Sequence, residues 1–388
     1  MDFTFNEDQE AIRDSVERIC SRFGDDYWFA RDHDGKFPED FVKALCENGF
    51  LGVAMPEEYG GSGLGVTEAA IVMMTIAQSG AAMSGASAVH MNMFGPMPVV
   101  VFGTHEQKQR FLPPIISGKD RTCFGVTEPN SGLDTTRLET TARLEGNKYI
   151  VNGRKLWTST AQTANKILLV TRTTPLDKVK KATDGLSIFY TDVDRKYIEV
   201  REIEKMGRKA VDSNALFIDN LPVPKDDLIG EEGQGFYYLL HGLNPERILL
   251  ASEAVGTGRI ALKKAAQYAR ERVVFRRPIG MNQGIQHPLA RAWIELEAAN
   301  LLVFKAAALY DAKLPCGAEA NAAKYFAGEA GFNACETAIF THGGMGYAKE
   351  YHVERYFREA MIPRLTPVSR EMILNFIAEK VLELPKSY

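Results

Sequence analysis

The stretch Ile285–Tyr310, IQHPLARAWIELEAANLLVFKAAALY, decides the architecture. Ile285, Leu289, Ala292, Leu296, Ala299, Val303, Ala306 and Tyr310 step by three or four positions, which places them on one face of an α-helix. The pattern lasts for about seven turns, longer than an ordinary globular helix, and suits a bundle in which one apolar stripe packs on neighbours of similar length.

Outward from that helix the texture changes twice. From about residue 236 to the end the chain reads as helical, whereas between about 121 and 232 it breaks into short β-branched or aromatic runs separated by turn residues. Lys148–Val151, Ile167–Thr171, Leu186–Thr191 and Ala215–Ile218 are such runs, and Gly146-Asn147 predicts a hairpin turn. This segment is expected to be a β domain of antiparallel strands. From residue 7 to about 120 the helical period returns: Ile12, Val16 and Ile19 share a face, and Ala69–Met83 is a nearly polar-free run suited to a buried helix. Met55–Gly65, MPEEYGGSGLG, is too rich in turn residues for regular structure. The expected organisation is an α+β chain with a helical domain over 1–120, a β domain over 121–232 and a helical bundle over 233–388.

Composition narrows the classes. A chain of 388 residues with 45% hydrophobic and 25% charged residues has material for two or three packed domains. A net charge of −4 gives no general attraction to nucleic acid or anionic membrane, so neither is expected as a partner. Cys20, Cys46, Cys123, Cys316 and Cys335 are widely spread and form no CxxC pair, as expected of free thiols in a reducing compartment. The N-terminal MDFTFNEDQEAIRDSVERI has no signal-peptide features, and no uninterrupted apolar run reaches the ~20 residues that span a bilayer. A soluble, cytoplasmic protein is the expectation.

Several familiar motifs can be set aside. Gly256-Thr-Gly258-Arg-Ile-Ala261 matches the dinucleotide fingerprint GxGxxA, but it sits in a helical stretch rather than after a strand, so close helix packing explains it better. The histidines are dispersed without an HExxH pair, and no metal site is expected. There is no GxSxG elbow or Walker A sequence.

What remains is an ordered set of segments. Phe37-Pro38, Gly49, Gly52, Pro56 and Gly60-Gly61 come first, then Phe124-Gly-Val-Thr-Glu-Pro-Asn-Ser-Gly-Leu-Asp134 and Asn152-Gly-Arg-Lys-Leu-Trp-Thr-Ser159. Asn244-Pro-Glu-Arg247, Glu271-Arg-Val-Val-Phe-Arg276 with Gln283, Gly343-Gly-Met-Gly346 and Arg358-Glu-Ala360 follow. Together and in this order they resemble the acyl-CoA dehydrogenase family over essentially the whole chain. The resemblance implies a helical N-terminal domain, a central β domain and a C-terminal four-helix bundle. It also implies FAD as cofactor, an acyl-CoA thioester as substrate, and a place in fatty acid or related lipid metabolism. The family reaction removes the proton α to the thioester carbonyl while the β-hydride passes to FAD, giving a trans-2-enoyl-CoA. Electrons then go to an electron-transferring flavoprotein; the alternatives are an oxidase using oxygen and a non-dehydrogenase flavoprotein on the same scaffold.

By the same resemblance, the commoner family base lies in a loop after the Arg-Glu-Ala segment, but Pro367 stands there. Isovaleryl- and long-chain-type members instead use a Glu before an Arg on the first long C-terminal helix, which Glu246-Arg247 matches. The rival reading makes Asn244 an N-cap, Pro245 the first helical residue and Glu246 a first-turn acid. Glu359 and Glu371 are weaker candidates for the base. Pro367 also lacks the N–H that the family aims at the thioester carbonyl, and losing one such donor costs about 2.7 to 4 kcal/mol.

For the cofactor, Phe124, Val126 and Thr127 are implied to face the flavin, with Trp157, Thr158 and Ser159 near its ring; strand packing for Val126 and core filling for Trp157 are the plain alternatives. Gly132 and Leu133 match the pyrophosphate loop, although leucine cannot donate the hydrogen bond usual there. Arg272, Phe275, Gln283, Gly343 and Gly344 match residues that reach the FAD of a neighbouring subunit, implying a homo-oligomer, either dimer or tetramer. Arg272 is otherwise a solvated charge at a helix end. Asn244 and Arg247 match substrate-lining positions, Arg247 alternatively pairing with a nearby carboxylate.

Overall fold

A computed structural model describes residues 4–387. The N-terminal part is built from α1 (Glu7–Cys20), α2 (Asp25–Asp34), α3 (Glu39–Glu47), α4 (Val66–Ile76), α5 (Ala82–Phe94), α6 (Met97–Phe102) and α7 (His105–Ile116). α1 starts where Asn6 caps the backbone N–H of Gln9 and the Gln9 side chain returns the bond, a reciprocal cap written in the sequence as N-x-x-Q. Val16 and Ile19 are buried on its inner face.

The polar-free run expected as a helix is broken. Gly80 takes φ 105° in an irregular turn at Ala77–Ala81, so α4 and α5 are separate rods. The freed carbonyls are answered from far along the chain: the buried Arg355 guanidinium donates to Gly80 O at 2.6 Å and Ala81 O at 3.4 Å. The helical stretch Val66–Phe102 is apolar enough by composition to cross a membrane, yet 89% of its most apolar window is buried inside the protein, as befits a core element.

The central part holds β1 (Thr122–Gly125), β2 (Thr141–Glu145), β3 (Lys148–Ser159), β4 (Lys166–Arg172), β5 (Leu186–Asp192), β6 (Ile198–Glu202), β7 (Ser213–Pro224) and β8 (Leu228–Ile229). β2 and β3 pair as a hairpin across Gly146-Asn147, with Gly146 at φ 63°. The sheet runs β6-β7-β3-β2-β4-β5-β8, with β1 added on β4. The expectation of antiparallel strands needs one correction, because β1 and β2 both pair with β4 in parallel. Between β1 and β4 the chain makes a crossover through the β2–β3 hairpin, and local turn signals do not report such long returns.

The C-terminal part holds α8 (Gly235–Glu271), the small hairpin of β9 (Val273–Val274) and β10 (Arg277–Pro278), α9 (Gln283–Asp311), α10 (Gly317–His342), α11 (Val353–Glu359), α12 (Ile362–Leu365) and α13 (Arg370–Lys380). α8, α9 and α10 pack on one another, α13 lies on α10, and α4 of the N-terminal part packs against α8 and α9. Ala292, Leu296, Ala299, Val303 and Ala306 are all buried, so the stripe read from the sequence is the inner face of α9. The GxGxxA segment lies within α8: a side-chain carbon on Gly256 would sit 2.4 Å from Met74 O, and one on Gly258 would sit 3.0 Å from Gly331 Cα. These glycines are there because helices touch backbone to backbone, not because a dinucleotide approaches.

Candidate active site

Glu246 does not start a helix. α8 begins at Gly235, so Asn244 and Pro245 lie within it and the N-cap reading is overturned. Proline inside a helix withholds the N–H that would have bonded to the carbonyl four residues back. The sequence therefore places a helix-weakening residue directly beside Glu246, on a rod whose flanks are fixed by packing on α4, α9 and α10.

The carboxyl of Glu246 sits in a charged but poorly hydrated setting. The residue is half-buried, and its Oε2 has neither solvent contact nor a hydrogen-bond partner. Burial raises its pKa to about 7, against the pull of His90, Arg247 and Lys324 and with help from Glu253. A carboxylate so placed is a far stronger base than one in water, and a large share of it is still ionised near neutral pH. Arg247 Nη1 donates to Asn244 Oδ1 at 2.9 Å, and Asn244 Nδ2 reaches Cys316 Sγ at 3.7 Å, so Asn244, Glu246 and Arg247 form one cluster. Arg247 thus pairs with an amide in this chain, and burial pulls its pKa down.

Lys324, fully buried on α10, was not singled out by sequence reasoning. Its ammonium donates to Val368 O at 2.6 Å and so ties the 366–369 loop to the bundle beside Glu246. Burial pushes Lys324 down to about 8. Within that loop the Thr366 N–H is spent on Ile362 O at 3.0 Å, and residue 367 has none to give. The two other carboxylates that the sequence nominated are engaged elsewhere: Glu359 accepts from Ser84 N–H at 2.9 Å, Ser84 Oγ at 2.6 Å and Arg355, and Glu371 is an exposed partner of Arg370.

The two β segments nominated for the flavin are brought together. Leu156 N–H donates to Thr127 O at 2.8 Å, and Lys155 Nζ donates to Val126 O at 3.1 Å and to Glu128 Oε1 at 2.8 Å. Lys155 and Glu128 are both buried, so this ion pair is the pin that holds Phe124–Thr127 against Trp157–Ser159. Trp157 is 57% exposed with φ 60°, which rules out core filling, while Val126 is half-buried against the sheet core. Thr158 is fully buried and its Oγ1 has no partner. A side-chain carbon on Gly132 would meet nothing, and Leu133 beside it is 62% exposed. A presented indole, an orphaned hydroxyl and an open loop fit a flat aromatic cofactor with a polar tail.

Ser159 Oγ accepts from Arg208 Nη2 at 3.0 Å. The Arg208 guanidinium is held by three hydroxyls, those of Ser87, Ser159 and Ser213, and burial pulls its pKa down. With His90 and Glu253, it belongs to the residues that sequence reasoning missed. Only one signal pointed there, the seven-residue spacing from Glu246 to Glu253, which repeats a helix face.

Arg272, Phe275, Gln283, Gly343 and Gly344 are not brought to this place. Arg272 caps the far end of α8, about 39 Å along the axis from Glu246 at 1.5 Å per residue. Arg272 and Gln283 are exposed, Phe275 is 95% exposed, and both glycines have open space where a side chain would be.

Three sequence models of one family match the chain in succession: acyl-CoA dehydrogenase N-terminal domain over residues 6–119, middle domain over 123–221 and C-terminal domain over 233–382. The acyl-CoA dehydrogenase FadE12 of Mycobacterium tuberculosis is 37% identical over 388 residues, covering 100% of this chain and 99% of the relative. The CarC subunit of the caffeyl-CoA reductase-Etf complex of Acetobacterium woodii is 34% identical over 332 residues, covering 84% of this chain and 86% of the relative. The solved structure of butyryl-CoA dehydrogenase from Megasphaera elsdenii superposes with a TM-score of 0.93 at 28% identity, covering 98% of this chain and 100% of that one.

Proposed function

This chain belongs to the acyl-CoA dehydrogenase family, an FAD-dependent oxidoreductase family, and from that premise we propose that it dehydrogenates an acyl-CoA thioester with Glu246 as the base. The observation that carries the assignment of the base is the unpartnered, buried Oε2 of Glu246, with burial raising the carboxyl pKa to about 7. The carbon α to a thioester is a very weak acid, and proton transfer to a desolvated carboxylate lowers the barrier by removing the water that would otherwise stabilise the charged base.

When bound, FAD supplies the acceptor for the β-hydride. This chain's own residues do the rest. Glu246 takes the α proton on Oε2. Arg247, held by Asn244, and Lys324, held by Val368, set positive charge around the developing enolate. The loop at 366–367 offers no N–H to the carbonyl, so more of that stabilisation would fall on these cations. Trp157, Thr158 and Ser159, with Phe124, Val126 and Thr127, would hold the ring, and the loop at Gly132 and Leu133 would hold the pyrophosphate through its backbone.

An electron-transferring flavoprotein is the proposed acceptor, by analogy with the Etf complex that contains CarC. Arg272, Phe275, Gln283, Gly343 and Gly344 are proposed to serve the FAD of a second subunit, since α8 holds Arg272 about 39 Å from Glu246 within one chain. The test is anaerobic mixing of the FAD-loaded protein with straight, branched and aromatic acyl-CoAs while flavin absorbance is followed. At least one class should bleach the flavin within seconds; no bleaching by any would overturn the proposal.

A further inference from the structure

α8 presents a second carboxylate on the face that bears Glu246. Glu253 follows by seven residues, about two turns, so both side chains leave the same side of the helix. Glu253 is fully buried. Its Oε1 lies 2.5 Å from Nδ1 of His90 on α5, itself buried, and its Oε2 has no hydrogen-bond partner. A carboxylate in such a place is tolerated only with a cation against it. His90 is the group placed to be that cation: burial is the largest single influence and opposes its charge, but the contact with Glu253, together with Glu246, raises the imidazole pKa against burial and Arg208.

The charged surroundings are few. His90 faces Glu253 and Glu246 from α8 and Arg208 from the connection between β6 and β7. Glu246 faces His90 from α5, Arg247 and Glu253 from its own helix, and Lys324 from α10. After burial, His90 has the largest influence on Glu246 and favours the ionised form, while Glu253 has a smaller influence of opposite sign. The pair as a unit therefore favours the carboxylate.

Resting on the assignment of Glu246 as the base, we propose that His90 and Glu253 are a positioning pair: Glu253 holds His90 as an imidazolium, whose charge keeps the half-buried Glu246 ionised and able to accept a proton. Both act through Glu246 rather than on the reacting atoms. The pair answers a problem that burial creates, since a lone desolvated carboxyl would hold a proton at neutral pH and be idle as a base.

The test reads Glu246 directly in the FAD-loaded protein without any acyl-CoA, by carboxyl ¹³C NMR of glutamate-labelled enzyme across pH, the signal being assigned by its loss in Glu246→Gln. In His90→Gln, which keeps a donor for Glu253 but no charge, the Glu246 titration should move up by about one unit, leaving roughly tenfold less carboxylate on the acid side. In Glu253→Gln both charges go, and the shift should have the same direction and a smaller size. If His90→Gln does not fold, the shift in Glu253→Gln decides the question by its direction. An unmoved or lowered titration in the folded variants overturns the proposal. Fast flavin reduction by Glu246→Gln would instead overturn the assignment of the base, so the two failures are distinct.

Discussion

At the scale of single residues, the chemistry turns on how much water and charge surround a carboxyl. Glu246 and Glu359 both read as acids in the sequence, but Glu359 is consumed by Ser84 and Arg355 whereas Glu246 keeps a free oxygen. The local letters Asn-Pro-Glu-Arg suggest a helix start, and only the packing of the preceding turns of α8 shows otherwise. As the proposed base, Glu246 must be ionised to accept a proton, and burial lifts its pKa to about 7, so flavin reduction should rise with pH through about 7 and level off above it. A rate that is flat between about pH 5.5 and 8 in stopped-flow measurements would contradict this. Lys155 supplies a second residue-scale prediction. Lys155→Ala leaves the buried Glu128 carboxylate with the Glu139 and Thr140 N–H groups but without its paired cation, and should cost about 3–5 kcal/mol of stability in denaturant unfolding, with weakened FAD retention. Nothing in the sequence marks Lys155 as different from a surface lysine, because a buried partner 27 positions away leaves no local pattern.

At the scale of elements, what the sequence shows well is whatever depends on near neighbours. The inner stripe of α9, the Gly146-Asn147 hairpin and the packing role of Gly256 follow from period, turn chemistry and context. What it hides depends on partners distant in the chain. The break at Gly80 is stabilised by Arg355, and the parallel pairing of β1 with β4 spans the whole β2–β3 hairpin. The contact of α8 with α10 gives a sharp test. Gly331→Val would force a branched side chain against Ala254 O, which lies 2.5 Å from the position of even a first side-chain carbon. The variant should lose about 1–3 kcal/mol by thermal or denaturant unfolding. Stability equal to the parent would mean that these helices do not meet as closely as described.

At the scale of the whole molecule, the far end of α8 and the end of α10 carry large apolar side chains in the open: Phe275 at 95%, Tyr347 at 90% and Phe340 at 74% exposure. Single exposed apolar residues are ordinary, but three within or beside the Glu271–Arg276 and Gly343–Gly346 segments suit an interface. The expected mass in light scattering is a multiple of the 43.1 kDa chain, and Arg272→Ala should lower FAD retention without altering α8. A monomer that retains FAD fully would contradict a site shared between subunits. In air without added acceptor, turnover should release less than stoichiometric hydrogen peroxide; one peroxide per substrate would mark an oxidase.

Everything proposed for the chemistry depends on Glu246 accepting the substrate's α proton. Anaerobic stopped-flow reduction of FAD-loaded Glu246→Gln, by the acyl-CoA that reduces the parent fastest, probes that step alone. The variant should bind the cofactor normally and be reduced on the order of 10²–10⁴-fold more slowly than the parent. Reduction at the parental rate would place the base elsewhere and contradict the assignment.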